Sequence, residues 1–405
     1  MSRPFHGYRV AAVAALAFTA TAPGQTFLVS QLNVHLRSEL GLGETALAAA
    51  YMVATVSAAL PLVLVGRLTD RHGPRRALIA LGVAFAAACV LFGAGARGLF
   101  TVTLGFFALR FLGQGSLSLV SSHALALWFH RRLGWVNGAK TVAVFALWAL
   151  LPPAVLAGIE AVGWRWTWAA LGLGVFALVV PAAAVAMVDT PEEAGQRVDG
   201  DAATDEVHQQ EAAFTLAQAR TTPTYRVLAA ASVLGPLIGT ALLFCLQPMA
   251  QQARLPLEVA AWAASSWSWT MALMALPSGW WVDRAPPQRT LPLALVGLGL
   301  ATAWFLVAST PAGFVGGMIA YATSQAILGA ATATALARRF GRAHHGAIRA
   351  SVTRMAVVGT GLGPVLLGGS SEALGGYGPA LAALAAVCLP LAVAAWRLPP
   401  EQQAP

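Results

Sequence analysis

Two arginines stand where a charge is expensive. Arg110 lies about eleven residues into an apolar stretch from about 99 to 126, roughly 16 Å along a helix that rises ~1.5 Å per residue. Arg354 lies seven or eight residues into another, from about 347 to 371. An ionised side chain at such depth is a functional candidate by default. No Asp or Glu occupies the middle of any apolar stretch: Glu44, Glu160, Glu258 and Glu372 all fall near ends. Two buried guanidinium groups without buried carboxylates would be unpaired cations at a cost of several kcal/mol each, and an anionic ligand would relieve it. The chemistry these residues suit is recognition of a small organic anion. Arg110 also admits a structural role, bonded to carbonyls of a neighbouring helix. Lys140 and Arg349 sit within a turn of an apolar boundary, where long cationic side chains reach outward to water.

Polar groups that could line a path accompany them. Gln25, Thr26, Gln31 and Asn33 lie in the first apolar stretch, Gln114 in the fourth, Gln247 in the seventh, and Tyr321, Ser324 and Gln325 in the tenth. Each glutamine can equally join two helices. Pro23 and Gly24 are placed to break the first helix and free backbone groups for a ligand. In the eighth stretch Trp267 and Trp269 alternate with Ser265, Ser266, Ser268 and Thr270, as an aromatic wall or as helix packing, while Trp280 and Trp281 fit an interfacial belt. Histidine is the side-chain type suited to proton exchange near neutral pH, and His35 and His123 are the ones in or beside the path; for His123 both a passive interfacial place and proton carriage stand open. Cys89, Cys245 and Cys388 are isolated in apolar runs and read as packing thiols rather than a disulfide framework.

These residues need a membrane scaffold to hold them. Of 405 residues 58% are hydrophobic and 10% charged, with a mean hydropathy of +0.68, whereas soluble domains carry roughly 25% charged residues. That excludes a soluble enzyme or nucleic-acid binder. Apolar stretches recur twelve times, at about 9–34, 44–65, 76–96, 99–126, 138–160, 164–188, 225–250, 257–281, 290–309, 311–336, 347–371 and 376–396, each near the ~20 residues a transmembrane helix needs. Residues 1–188 are expected to form one six-helix bundle and 224–405 a second. The intervening 189–223 holds eight of the sixteen acids and reads as a solvated linker, ending in a short surface helix near Phe214 to Arg220. No cleavable signal peptide is evident, because the first apolar run from about Tyr8 continues too long.

Basic residues set the orientation, because short cytoplasmic loops accumulate them. With both termini inside, seventeen arginines, among them Arg67, Arg71, Arg75, Arg76, Arg338 and Arg339, face inward, and only Arg37, Arg97, Arg165 and Arg254 face outward. The halves also repeat: Gly66 to Arg71 (GRLTDR) returns 213 residues later as Gly279 to Arg284 (GWWVDR), and Ala124, Leu125, Ala126 and Phe129 return 211 residues later as Ala335, Leu336, Ala337 and Phe340. Parallel repeats imply a pseudo-two-fold axis along the membrane normal with the substrate path between the halves.

The run Gly66, Leu68, Asp70, Arg71, Gly73, Arg75, Arg76 resembles the signature loop of the major facilitator superfamily. On residue grounds, Gly66 is expected to allow close helix approach, Gly73 a tight turn, and Asp70 a helix cap or an arginine pair. The resemblance implies an all-α fold of twelve transmembrane helices in two parallel repeats, and a cytoplasmic latch through Asp70 and Arg71. Asp283 and Arg284 would form a weaker second latch, with Pro286 where glycine is expected. The set Arg110, Gly113, Gln114, Gly115 is similar to the family's span-four motif, linked there to proton or substrate coupling. Span eleven carries Gly359, Gly361, Gly363, Pro364, Gly368 and Gly369, suited to close packing and a bend. Pro152, Pro153 and Gly158 in span five match the exporter-type signature poorly.

Short pieces resemble the bacterial monocarboxylate and oxalate–formate branch: Gly7, Tyr8, Arg9; Trp128, Phe129, Arg131, Arg132; Pro191, Glu192, Glu193, Gly195, Asp199, Gly200; and Thr215, Leu216, Ala219, Arg220. That branch places an arginine in span eight, and none lies between Leu257 and Val282, leaving Arg354 for its role. The expected function is a secondary carrier in the cytoplasmic membrane that moves a small organic anion, with a proton as coupling ion, by alternating access. Its partners are then that anion, the proton and the lipid bilayer, with no nucleic acid. The alternative is an exporter of lipophilic or cationic compounds of the drug–proton type, supported by the aromatic span eight and opposed by the absence of a central acid. A receptor that no longer transports and a membrane enzyme fit less well. The latch loop is intact, and no cofactor, metal or catalytic centre is expected, because no His–carboxylate cluster, nucleophile elbow or phosphate loop occurs.

Overall fold

The computed structural model describes residues 5–129, 132–200, 214–285, 287–340 and 345–399. Among them the chain is helical, as a backbone must be when no water is available to satisfy its polar groups. It divides into two compact units, residues 1–205 and 206–405.

In the first unit α1 (Gly7–Thr19) gives way to a 3-10 turn at Ala22–Gly24, a four-residue α2 (Thr26–Val29), a second 3-10 turn at Ser30–Leu32, and α3 (Asn33–Leu40). Pro23 and Gly24 therefore break the first pass as expected, with Gln25 extended at φ −88° and ψ 148°. Then come α4 (Glu44–Ala59), α5 (Leu62–His72), α6 (Pro74–Gly95), α7 (Leu99–Ala108), a π-helical segment at Leu109–Leu117, α8 (Ser118–Trp128) and α9 (Leu133–Ala186). The 54 residues of α9 would reach about 80 Å as one rod, far beyond a ~30 Å hydrocarbon core. Gly163, at φ +81°, breaks it into two passes. α6 packs on α9, α1 on α8 and α9, and α4 on α7.

The second unit opens with the short α10 (Leu216–Thr221), where Thr215 caps Gln218 and Gln218 returns a bond to Thr215; this is the expected surface helix. α11 (Pro223–Gln252), α12 (Leu257–Arg284), α13 (Pro287–Trp304), α14 (Pro311–Phe340), α15 (His345–Leu374) and α16 (Gly378–Trp396) follow. α11 packs on α15, α12 on α14, and α13 on both α14 and α16. Lipid tails are as apolar as leucine, so close backbone approach drives helix association here. At Gly363 of α15 an added Cβ would sit 2.9 Å from the Ala241 nitrogen and 2.9 Å from Thr240 Oγ1, which leaves no room for a side chain.

Nine described helical stretches are long and apolar enough to cross a membrane. α12 and α13 fall outside that set, α12 being diluted by serines and tryptophans, yet at 28 and 18 residues both are long enough to span at ~1.5 Å per residue. With α9 counted twice, twelve passes result, six to a unit. Large apolar side chains face outward in both units: Val185 in the first is 87% exposed and Val307 in the second 74%. A water-soluble surface would not carry this, and a lipid-facing one does.

Candidate functional site

Arg110 is placed by two irregular elements that meet. It sits in the π-helical segment, and such segments cluster at functional positions because the extra residue per turn re-aims side chains. Opposite lies the break in the first pass. A Cβ at Gly24 would collide with the backbone oxygen of Leu109, so the two backbones come together only because residue 24 is glycine. Arg110, 3% exposed, donates through Nη1 to Gly24 O and to Thr26 Oγ1, each at 3.3 Å. Its guanidinium carbon stands 5.0 Å from the centre of the Tyr51 ring, and Tyr51 OH and Thr26 Oγ1 share a 2.6 Å hydrogen bond. Nε is buried without a hydrogen-bond partner. The carbonyl contact is the structural role open to this arginine. It still leaves a buried cation held only by neutral groups, with no ion pair among the described residues. Sequence reasoning missed Tyr51, although a tyrosine amid the alanines of Glu44–Ala59 was a visible signal.

The second unit contains a counterpart. Tyr321 OH donates to Gly235 O at 2.9 Å. Both members lie 211 residues after Arg110 and Gly24, and Gln325 lies 211 after Gln114. In each half, then, the fourth helix of the repeat reaches a glycine carbonyl in the first, with a cation in one half and a neutral phenol in the other. Trp267 Nε1 donates to Gln325 Oε1 at 2.9 Å, bringing Tyr321, Gln325 and Trp267 into one polar cluster on α12 and α14. Trp267 is buried whereas Trp269, two residues on, is exposed, so the two do not share a wall.

Other expected residues are placed differently. Gln25 is half-buried and its amide turns back to Thr21 Oγ1 at 3.0 Å rather than toward Arg110. Gln114 is half-buried in the π-helical segment, its carbonyl accepting from Ser118 Oγ. Gln247 is fully buried in α11. Arg354 departs from the expected burial: its side chain is exposed, because Gly359 and Gly363 turn the opposite face of α15 toward α11. It is therefore no unpaired buried cation. His35 is half-buried in the first turn of α3, its Nε2 without a partner.

The signature loop corrects several expectations. Gly73 makes its turn at φ +82°. At Gly66 no described atom lies within 4 Å of where a Cβ would stand, so the close approach expected there is not made. Asp70 caps no helix and pairs with no described arginine; its Oδ1 lies 3.5 Å from His123 Nε2. Arg71 is exposed. The cap comes from Asp189, which sequence reasoning assigned to the linker: its Oδ1 accepts from Arg75 N at 2.6 Å at the start of α6, and Arg75 Nη2 donates to Ala184 O at 2.5 Å. A carboxylate there meets the positive end of the helix. These groups border a cleft of about 760 Å³ that includes His72, His123 and Glu193. In the second copy Arg284 is exposed, lies 4.3 Å from the Trp280 ring and donates to Trp280 O. The side chain of Asp283, like Pro286, lies outside the described residues.

At the other end of the first unit Glu39 accepts from Trp164 Nε1 at 2.5 Å and from Arg165 Nη2 at 2.7 Å. Arg165 also donates to Gly93 O and Ala96 O, tying α3, α6 and α9 together.

Two helical units of six passes, each with a polar contact at mid-helix, define a polytopic membrane carrier. Residues 11–253 and 228–405 match the family model of the Major Facilitator Superfamily, and the chain belongs to that superfamily. A 138-residue stretch, 34% of this chain, is 28% identical to the probable sulfoacetate transporter SauU of Cupriavidus necator, and the match spans 32% of that protein. Among solved structures a D-xylose–proton symporter superposes with TM-score 0.75 at 13% identity, covering 99% of both chains. The nucleoside transporter NupG gives 0.72 at 13%, covering 97% of this chain and all of the other. A bacterial homologue of the lysosomal transporter Spinster gives 0.72 at 14%, covering 98% and 95%. The family match makes the chain a multi-pass membrane protein of the transporter class.

Proposed function

We propose that the protein is a secondary carrier of a small organic anion, coupled to protons and working by alternating access. The observation that carries this is the buried Arg110, bonded to neutral groups alone and with Nε unmatched. An anion that competes for its Nη1 bonds gains a charge-assisted contact, roughly twice as strong as a neutral one. Arg354, on α15, is the second cation we assign to the path, and Gln25, Gln114, Gln247, Tyr321, Gln325 and Trp267 supply neutral polar contacts. The sulfoacetate relative supports the reading, since sulfoacetate carries a carboxylate and a sulfonate. Residues 1–188 and 224–405 act as the two moving bundles, 189–223 as a cytoplasmic linker, and both termini face the cytoplasm. Asp70 and Arg71, with Gly66 and Gly73, act on the exchange between facing states, and Asp283 and Arg284 do so more weakly. Uptake of radiolabelled monocarboxylates and sulfonates into proteoliposomes, with wild type and Arg110→Gln, tests the proposal. Uptake that collapses in a correctly inserted variant supports it, and undiminished anion uptake by that variant refutes it.

A further inference from the structure

A groove of about 690 Å³ lies on the second unit between α11, α15 and α16, and nothing in the transport reading uses it. It exists because small residues face one another: Ala230 of α11 and Ala394 of α16 leave a hollow that Val233, Met355 and Pro390 floor with apolar surface. Arg226 is the charged residue at its edge. Arg397, the C-cap of α16, lies three residues beyond Ala394, about one turn further out along the chain. Both arginines are exposed, and no described residue accepts a hydrogen bond from either side chain. From Arg226 to Leu234 the groove follows about 12 Å of helix, close to the depth of one leaflet in a ~30 Å hydrocarbon core. Its contents must therefore be apolar along their length and anionic at one end.

We propose that this groove is a binding site for a single anionic phospholipid, its acyl chain along α11 and α16 and its phosphate between Arg226 and Arg397. Basic pockets between transmembrane helices hold anionic headgroups in this way, and each buried methylene adds to the affinity. The headgroup lies at the arginine-rich end, the cytoplasmic one in the orientation proposed above. Met355 adjoins Arg354, so occupancy of the groove bears on the helix that carries that cation.

The test is native mass spectrometry of the full chain released from nanodiscs containing equal parts phosphatidylglycerol and phosphatidylcholine with matched acyl chains. Wild type retains one phosphatidylglycerol in preference to phosphatidylcholine. Arg226→Gln and Arg397→Gln each lower that preference roughly fivefold, and Ala230→Trp, which fills the hollow and leaves both charges, removes the bound lipid of either kind. Equal retention of the two lipids by wild type, an unchanged preference in the double arginine variant, or a dimer of this chain in place of the lipid adduct would overturn the proposal.

Discussion

At the scale of single residues, the first half of the repeat places a cation where the second places a phenol, and the two respond differently to change. Arg110→Gln removes the only cation from its cluster and is expected to lower uptake by roughly 100-fold with insertion intact, as read in proteoliposomes. Arg110→Lys keeps the charge but loses the planar fork, so uptake should fall by less. Tyr321→Phe deletes one hydrogen bond to Gly235 O and costs about 1 kcal/mol, read as a lower melting temperature. Arg110 was legible in the sequence because a charge in an apolar run is conspicuous. Tyr51 stood out among the alanines of its helix but carried no charge to link it to Arg110, and the break at Gly24 announced freed backbone groups without naming the arginine that takes its carbonyl. Arg354 was misread as buried because position along a helix gives depth, while its facing depends on which side the glycines turn toward α11.

At the scale of elements, the break at Ala22–Gly24 and the π-helical segment at Leu109–Leu117 form one device. Gly24→Ala is expected to cost about 1–3 kcal/mol of stability, since the new methyl meets the Leu109 backbone rather than a movable side chain. It should also weaken anion binding, which separates it from a plain packing lesion elsewhere. Pro23 and Gly24 announced the break, but nothing in the residues 109–117 announces a π-helix, whose register depends on what it packs against. The loop before α6 makes the same point. Its motif was readable, yet the cap came from Asp189, far along the chain, which only folding brings to Arg75 N. Asp189→Ala should cost about 1 kcal/mol and loosen the turn at Gly73. Asp70→Asn, which keeps that cap, should slow exchange between facing states in counterflow assays without abolishing binding; wild-type exchange would contradict a latch role.

At the scale of the whole molecule, twelve passes and their repeat were legible because hydropathy has a fixed length in a bilayer and duplicated halves keep their spacing. The 211-residue offset that relates Ala124 to Ala335 also relates Arg110 to Tyr321 and Gly24 to Gly235, so the repeat extends from loops to the polar contacts within each bundle. Substrate chemistry was less legible, because it rests on one buried cation and not on a motif. The most direct measurement is a thermal-shift series on purified protein against monocarboxylates, sulfonates and organic cations, run on wild type and Arg110→Gln. The account predicts that small anions raise the melting temperature of wild type and leave that of Arg110→Gln unmoved. Stabilisation of wild type by organic cations alone, or equal stabilisation of both proteins by anions, would contradict it.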